Sequence, residues 1–303
     1  EMLRSLVGSE MCIRDSMNTY KIKLADGLAL LLLLVSYLAP FFANQIKVNI
    51  NVLTMLINCY IIAYLAYNIS FADSKKVLLM ALPLIVYGTF IIFYTKGFKL
   101  TVDKYLLTDI QHLIVNFFDV IFVVFVFFII ELVLSRVFGT NITSLIAALG
   151  LLLYLAMHNT TYIPFDFYYK DLLVYFAFYV LATRINPAKS INKFLYPLAI
   201  ILFVGEVYLV YTKNFYLGIY FSLFILTYII LKGDSPVGTR SFGKYLTFAY
   251  IYPYKLNYIL LANIVDARPL IITIMAILVT FLLGEILFKL KVKFLDYIFL
   301  GVH

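Results

Sequence analysis

The chain has 303 residues, 64% of them hydrophobic and 13% charged, with a mean hydropathy of +0.99, whereas soluble domains carry roughly 25% charge. That composition excludes a water-soluble globular domain. The net charge of +8 does not point to nucleic acid, because the basic residues are scattered between apolar runs rather than gathered on one exposed face. Two cysteines, Cys12 and Cys59, are too few for a disulfide framework or a multi-cysteine metal centre.

In chain order, the first sixteen residues, EMLRSLVGSEMCIRDS, read as translated sequencing adapter, with Met17 as the expected start of the protein proper. Crossing about 30 Å of hydrocarbon takes about 20 mostly apolar residues. Ten runs approach that length: 27–43, 50–72, 77–94, 113–135, 141–157, 171–184, 195–212, 215–231, 245–265 and 269–288. The sixth, DLLVYFAFYVLATR, is the shortest. The expected fold is therefore all-α, a polytopic transmembrane bundle of about ten spans over 17–293, with no internal repeat and no soluble domain. Segment 97–111 (GFKLTVDKYLLTDIQ) reads as a short amphipathic piece at the membrane interface. Residues 294–303 close a basic, amphipathic cytoplasmic tail that anionic lipid would attract.

Short cytoplasmic loops carry an excess of Lys and Arg, and this tests the span count. With the N-terminus inside, the inside segments hold Lys21, Lys23, Lys75, Lys76, Arg136, Arg184, Lys189, Lys193, Lys232, Arg240, Lys244, Lys289, Lys291 and Lys293. The outside segments hold Lys47, Lys96, Lys99, Lys104, Lys170, Lys213 and Arg268. Fourteen against seven favours ten spans with both termini cytoplasmic.

Ionisable groups at membrane depth cost about 2.5–3.5 kcal/mol each on insertion scales, so each one marks a candidate site. They are Asp119 and Glu131 in the fourth span, Glu206 in the seventh, Lys255 in the ninth and Glu285 in the tenth. Glu131 and Glu285 lie near span ends, where a side chain reaches the interface at low cost. Asp119, Glu206 and Lys255 lie deeper and read either as a buried ion pair or as a functional group. His112 and His158 are expected at the interface, and a lone His makes a poor metal site. No phosphate-binding glycine loop, H-E-x-x-H or nucleophile elbow occurs.

Three stretches in order resemble the TraX family of integral membrane proteins, named for the F-pilin N-acetyltransferase. They are LADGLALLLLLVSYLAPFF (24–42), YIIAYLAYNISFADSKKVLLM (60–80) and YFSLFILTYIILKGDSPVGTRSFGKYLTFAYIYPYKLNYILL (220–261). The third is the most specific, with a Gly-bearing basic loop leading to a Lys-aromatic start and then Tyr252-Pro253. The resemblance implies acyl (acetyl) transfer from an acyl-CoA donor at the cytoplasmic side of a bacterial inner membrane. It leaves the acceptor unspecified and implies no tightly bound cofactor.

The departures fall on the polar positions. Where the family pattern has Asp-His near the end of the first helix this chain has Ser36-Tyr37, and where it has a late His this chain has Lys255. A His passes protons near neutral pH, with an unperturbed pKa of about 6.5, whereas Tyr and Lys titrate near 10. The acetyl-transfer machinery is then either lost or rebuilt. A rebuilt site would use Lys255 as base, because an apolar surround favours a neutral amine and a neutral amine accepts protons. Tyr37 and Ser36 would lie close to it, with Asp119 or Glu206 as the orienting carboxylate.

Three other readings stand beside this one, the plainest of them a helix-packing scaffold with no polar cavity and every buried charge paired. An ion- or solute-coupled transporter would gather Asp119, Glu206 and Lys255 around a midplane cavity, although Pro83, Pro197 and Pro253 show none of the symmetry between halves usual in such folds. A degenerate intramembrane protease is suggested by ELVLSR (131–136) and YLAMH (154–158), which resemble the Glu-Glu-x-x-x-Arg and Phe-x-x-x-His elements of the CPBP family. There Leu132 replaces the second Glu.

Overall fold

The computed structural model describes residues 24–46, 50–70, 119–159, 171–186, 192–213, 217–233 and 251–290, together with Val86 and Thr89. The leader 1–16, most of the expected third span, the interfacial segment 97–111 and the tail 294–303 lie outside the described residues.

The described residues form nine α-helices and no strand. These are α1 (Leu24–Ile46), α2 (Ile50–Ser70), α3 (Asp119–Phe138), α4 (Thr140–Asn159), α5 (Asp171–Thr183), α6 (Leu195–Lys213), α7 (Leu217–Gly233), α8 (Ile251–Ile264) and α9 (Pro269–Leu290). Each coincides with one of the ten expected runs. Among the described residues two stretches, Leu53–Ser70 of α2 and Thr140–Met157 of α4, are long and apolar enough to cross a membrane. Helix α5 has 13 residues, about 20 Å at 1.5 Å per residue, which is short of the hydrocarbon thickness.

Helix α2 is the centre of the bundle. It packs against α1, α3, α5 and α7, and from Cys59 to Tyr67 every side chain is buried, as expected of a helix apolar all round. Helix α4 buries one stripe, Thr143, Ala147, Leu151, Tyr154 and Leu155, against α5. Gly150 belongs to that contact: a Cβ there would stand 3.6 Å from Leu173.

Aromatic pairs set the helix directions. Phe178, eighth in α5, meets Phe224, eighth in α7, with ring centroids 5.3 Å apart. Phe127 of α3 meets Phe176 and Tyr179 of α5 at 5.2 and 5.8 Å. Glu131, one turn after Phe127, meets Thr183 and Arg184, one turn after Tyr179, so α3 and α5 are parallel. Tyr220 lies by Tyr154, level with the start of α5, and Phe224 by Phe178, so α7 advances the same way. Helix α4 runs the other way, returning through Gly139 alone. The sequence places a longer connection at 136–140, but α3 continues to Phe138 and ends on Gly139 in the left-handed conformation, φ +84°. There the Gly139 N–H donates to Ser135 O at 3.1 Å, and its carbonyl accepts from the Thr143 N–H and hydroxyl at 3.2 and 3.0 Å. One residue both caps α3 and starts α4.

Candidate functional site

The expected site residues fall on four helices. Ser36 and Tyr37 lie on α1, Asp119 opens α3, Glu206 lies on α6 and Lys255 on α8. The Tyr37 ring stacks on Tyr254 with centroids 3.8 Å apart and planes 17° from parallel. That contact joins the opening helix to the Tyr-Pro helix, and Lys255 is the next residue along the chain. Its side chain lies outside the described residues, as does that of Asp119. The Ser36 hydroxyl donates to the Leu33 carbonyl at 2.7 Å, so it is engaged by its own helix.

Tyr37 and Tyr254 line a crevice with Leu30, Leu33, Ile277 and Phe281, at the junction of α1, α8 and α9. Its free volume is about 10 Å³, the space of about one water. Thr280 also lines the crevice, where the Asn257 amide donates to its hydroxyl at 2.8 Å and that hydroxyl donates to the Ala276 carbonyl at 2.6 Å. The pair ties α8 to α9 with polar atoms paired, as burial requires.

The helices that carry the two carboxylates pack mainly on other partners. Glu206 is 7% exposed on α6, whose main partner is α7, and α3 packs on α2, α4 and α5. Neither α3 nor α6 packs extensively against α1 or α8.

A polar cluster that the sequence reading missed sits where the C-terminal end of α5 meets α3, about two turns before α3 ends. An oxygen of Glu131 accepts from the Arg184 guanidinium at 2.9 Å and from the Thr183 hydroxyl at 3.1 Å. Tyr179, one turn before Thr183, lies against the same carboxylate. Glu131 therefore pairs across helices with Arg184 rather than along its own helix with Arg136, which is exposed. This arrangement also bears on the protease reading. Glu131 lies eight residues before Gly139 and His158 nineteen after it, an axial offset of about 16 Å, whereas proton transfer takes contacts of about 3 Å.

A second cluster fills the core where α2, α4, α5 and α7 meet. The hydroxyls of Tyr154 and Tyr220 lie 3.3 Å apart, and both approach the Met55 sulfur, at 3.4 and 3.2 Å. The Asn58 amide donates to the Tyr175 hydroxyl at 3.4 Å, and Tyr60 donates to the Ala25 carbonyl at 3.1 Å. Interhelical hydrogen bonds of this kind pair buried hydroxyl and amide groups and tie the helices to one another. The sequence signal for them was present, in tyrosines recurring inside otherwise aliphatic runs, but it does not say which tyrosines meet. Among the described residues no group of three His, Cys, Asp or Glu side chains is placed to hold a metal ion. The chain matches no protein-family model, no curated protein and no solved structure.

Proposed function

We propose that the chain is a multi-pass integral membrane protein with both termini cytoplasmic, and that it is a TraX-like acyltransferase whose site is the junction of α1 with α8 and α9. The membrane part rests on the surface. Leu145, Leu149, Leu152 and Leu153 of α4, Ile200, Ile201 and Val204 of α6, and Leu278, Leu282 and Ile286 of α9 are between 51% and 68% exposed, while tyrosine hydroxyls occupy the core. Aliphatic outside and polar inside is the arrangement that lipid as solvent favours.

The acyl-transfer part is carried by one observation, the stacking of Tyr37 on Tyr254. It sets the first stretch of the TraX resemblance against the third, at Tyr37, where this chain departs from the family pattern, and at Tyr254, the residue before the second departure, Lys255. The neutral amine of Lys255 takes the proton of the acceptor nucleophile as its lone pair attacks the thioester carbonyl of an acyl-CoA. The Tyr37 hydroxyl stabilises the oxyanion, the carbon–sulfur bond breaks, and the departing thiolate recovers the proton from Lys255.

The test is transfer of labelled acetyl from acetyl-CoA by the purified protein in proteoliposomes. Loss of a general base lowers turnover about 10²–10⁴-fold, so Lys255→Ala is expected to fall in that range. Tyr37→Phe keeps the ring stack but should also lose rate. Equal turnover by wild type and Lys255→Ala would remove the proposed role.

A further inference from the structure

Helices α3, α5 and α7 run in one direction, and their two ends differ in charge. The starting ends carry Asp119 and Asp171, while the finishing ends carry Arg136, Arg184 and Lys232. Because α6 and α7 pack together with only three residues between them, α6 runs the other way, so Lys193 before α6 joins the finishing end and Lys213 at its close joins the starting end. Glu131, about two turns before the end of α3, is engaged by Arg184, and among the described residues this end keeps an excess of positive charge. Arg136 and Lys193 are exposed, and Lys232 is held by a 2.7 Å hydrogen bond to the Tyr228 hydroxyl.

Large aromatic rings stand exposed among these cations: Phe138 at 53%, Phe194 at 69% and Tyr196 at 46%. Helix dipoles alone favour cations at C-terminal ends, but they give no reason for Lys193, which precedes a helix, or for exposed rings. Cations at phosphate height with aromatics just beneath them make up the interfacial belt of a membrane-embedded surface, and a leaflet rich in anionic lipid attracts such a basic surface. We infer that this end of the bundle docks anionic phospholipid headgroups. Arg136 and Lys193 contact the phosphates, and Phe138, Phe194 and Tyr196 set the depth. The inference rests on the membrane reading above and is independent of acyl transfer.

Spin-labelled phosphatidylglycerol and spin-labelled phosphatidylcholine, each added to the protein reconstituted in phosphatidylcholine vesicles, give the relative association of the two lipids by electron paramagnetic resonance. Wild type is expected to prefer phosphatidylglycerol. Each basic residue near the surface contributes about fivefold, so Arg136→Gln with Lys193→Gln should lower the preference by about an order of magnitude or more. Raising the salt should shrink the preference as well, since these charges are solvent-exposed. Should the double variant not fold, Lys193→Gln alone gives the same readout. A wild-type preference of one at low salt, or a preference unchanged in the variants, overturns the inference. Failure of the wild-type chain to associate with either labelled lipid overturns the membrane reading and this inference together.

Discussion

Glu131 and Arg184 share one ion pair but not one environment. The Glu131 side chain is 14% exposed and that of Arg184 33%, so the carboxylate depends on its partner more than the guanidinium does. Removing Arg184 leaves a nearly buried charge with only the Thr183 hydroxyl and Tyr179 beside it, whereas removing Glu131 leaves an arginine that can turn toward water. Arg184→Ala is therefore expected to cost more stability than Glu131→Ala, about 1–2 kcal/mol after allowance for screening at the arginine. Thermal unfolding of the two variants in detergent measures the order, and the reverse order would contradict this account. The pair was only half legible in sequence. Glu131 stood out as an ionisable residue near a span end, but Arg184 is 53 positions away and read as a topology signal. What unites them is that α3 and α5 run parallel, with Glu131, about two turns before the end of α3, level with the end of α5, which residue type does not encode. Tyr37 was more legible, singled out by its place in a motif, although its partner is Tyr254 and not a charged group.

Among the helices, the turn between α3 and α4 shows how much one residue can decide. Gly139 is exposed and nothing lies within 4 Å of where its Cβ would be, so Gly139→Ala meets no steric obstacle. It still places an L-residue at φ +84°, at a cost of about 1–2 kcal/mol. The expected result is a lower unfolding midpoint with unchanged helix content by circular dichroism, and an unaltered midpoint would mean that the turn relaxes to another conformation. The sequence located these helices well because a run of apolar residues is a local property. It could not rank them. α2 and α4 have similar composition, yet 72% of the apolar window of α2 is buried and 28% of that of α4. Helices apolar on every face carry no stripe that says which side is the core.

For the molecule as a whole, the exposed aliphatic faces decide what surrounds it. Leu149 sits midway along α4 and is 54% exposed. A Leu-to-Arg change on a surface facing water falls within about ±0.5 kcal/mol, whereas arginine at the centre of a membrane-spanning helix costs about 2.5–3.5 kcal/mol. Leu149→Arg is therefore expected to reduce insertion sharply in a microsomal glycosylation assay. Undiminished insertion would place this face away from lipid.

Helical class and helix placement were readable from composition and run length, since each depends on neighbours in the chain. The scarcity of charge likewise singled out Glu131, Glu206 and Lys255 before any coordinates. The meetings of Tyr37 with Tyr254, Glu131 with Arg184 and Tyr154 with Tyr220 had to wait for the fold. Each joins residues at least 53 positions apart, through the direction and rotation of whole helices, and helices made of interchangeable apolar residues leave both to the packing of side chains across their interfaces.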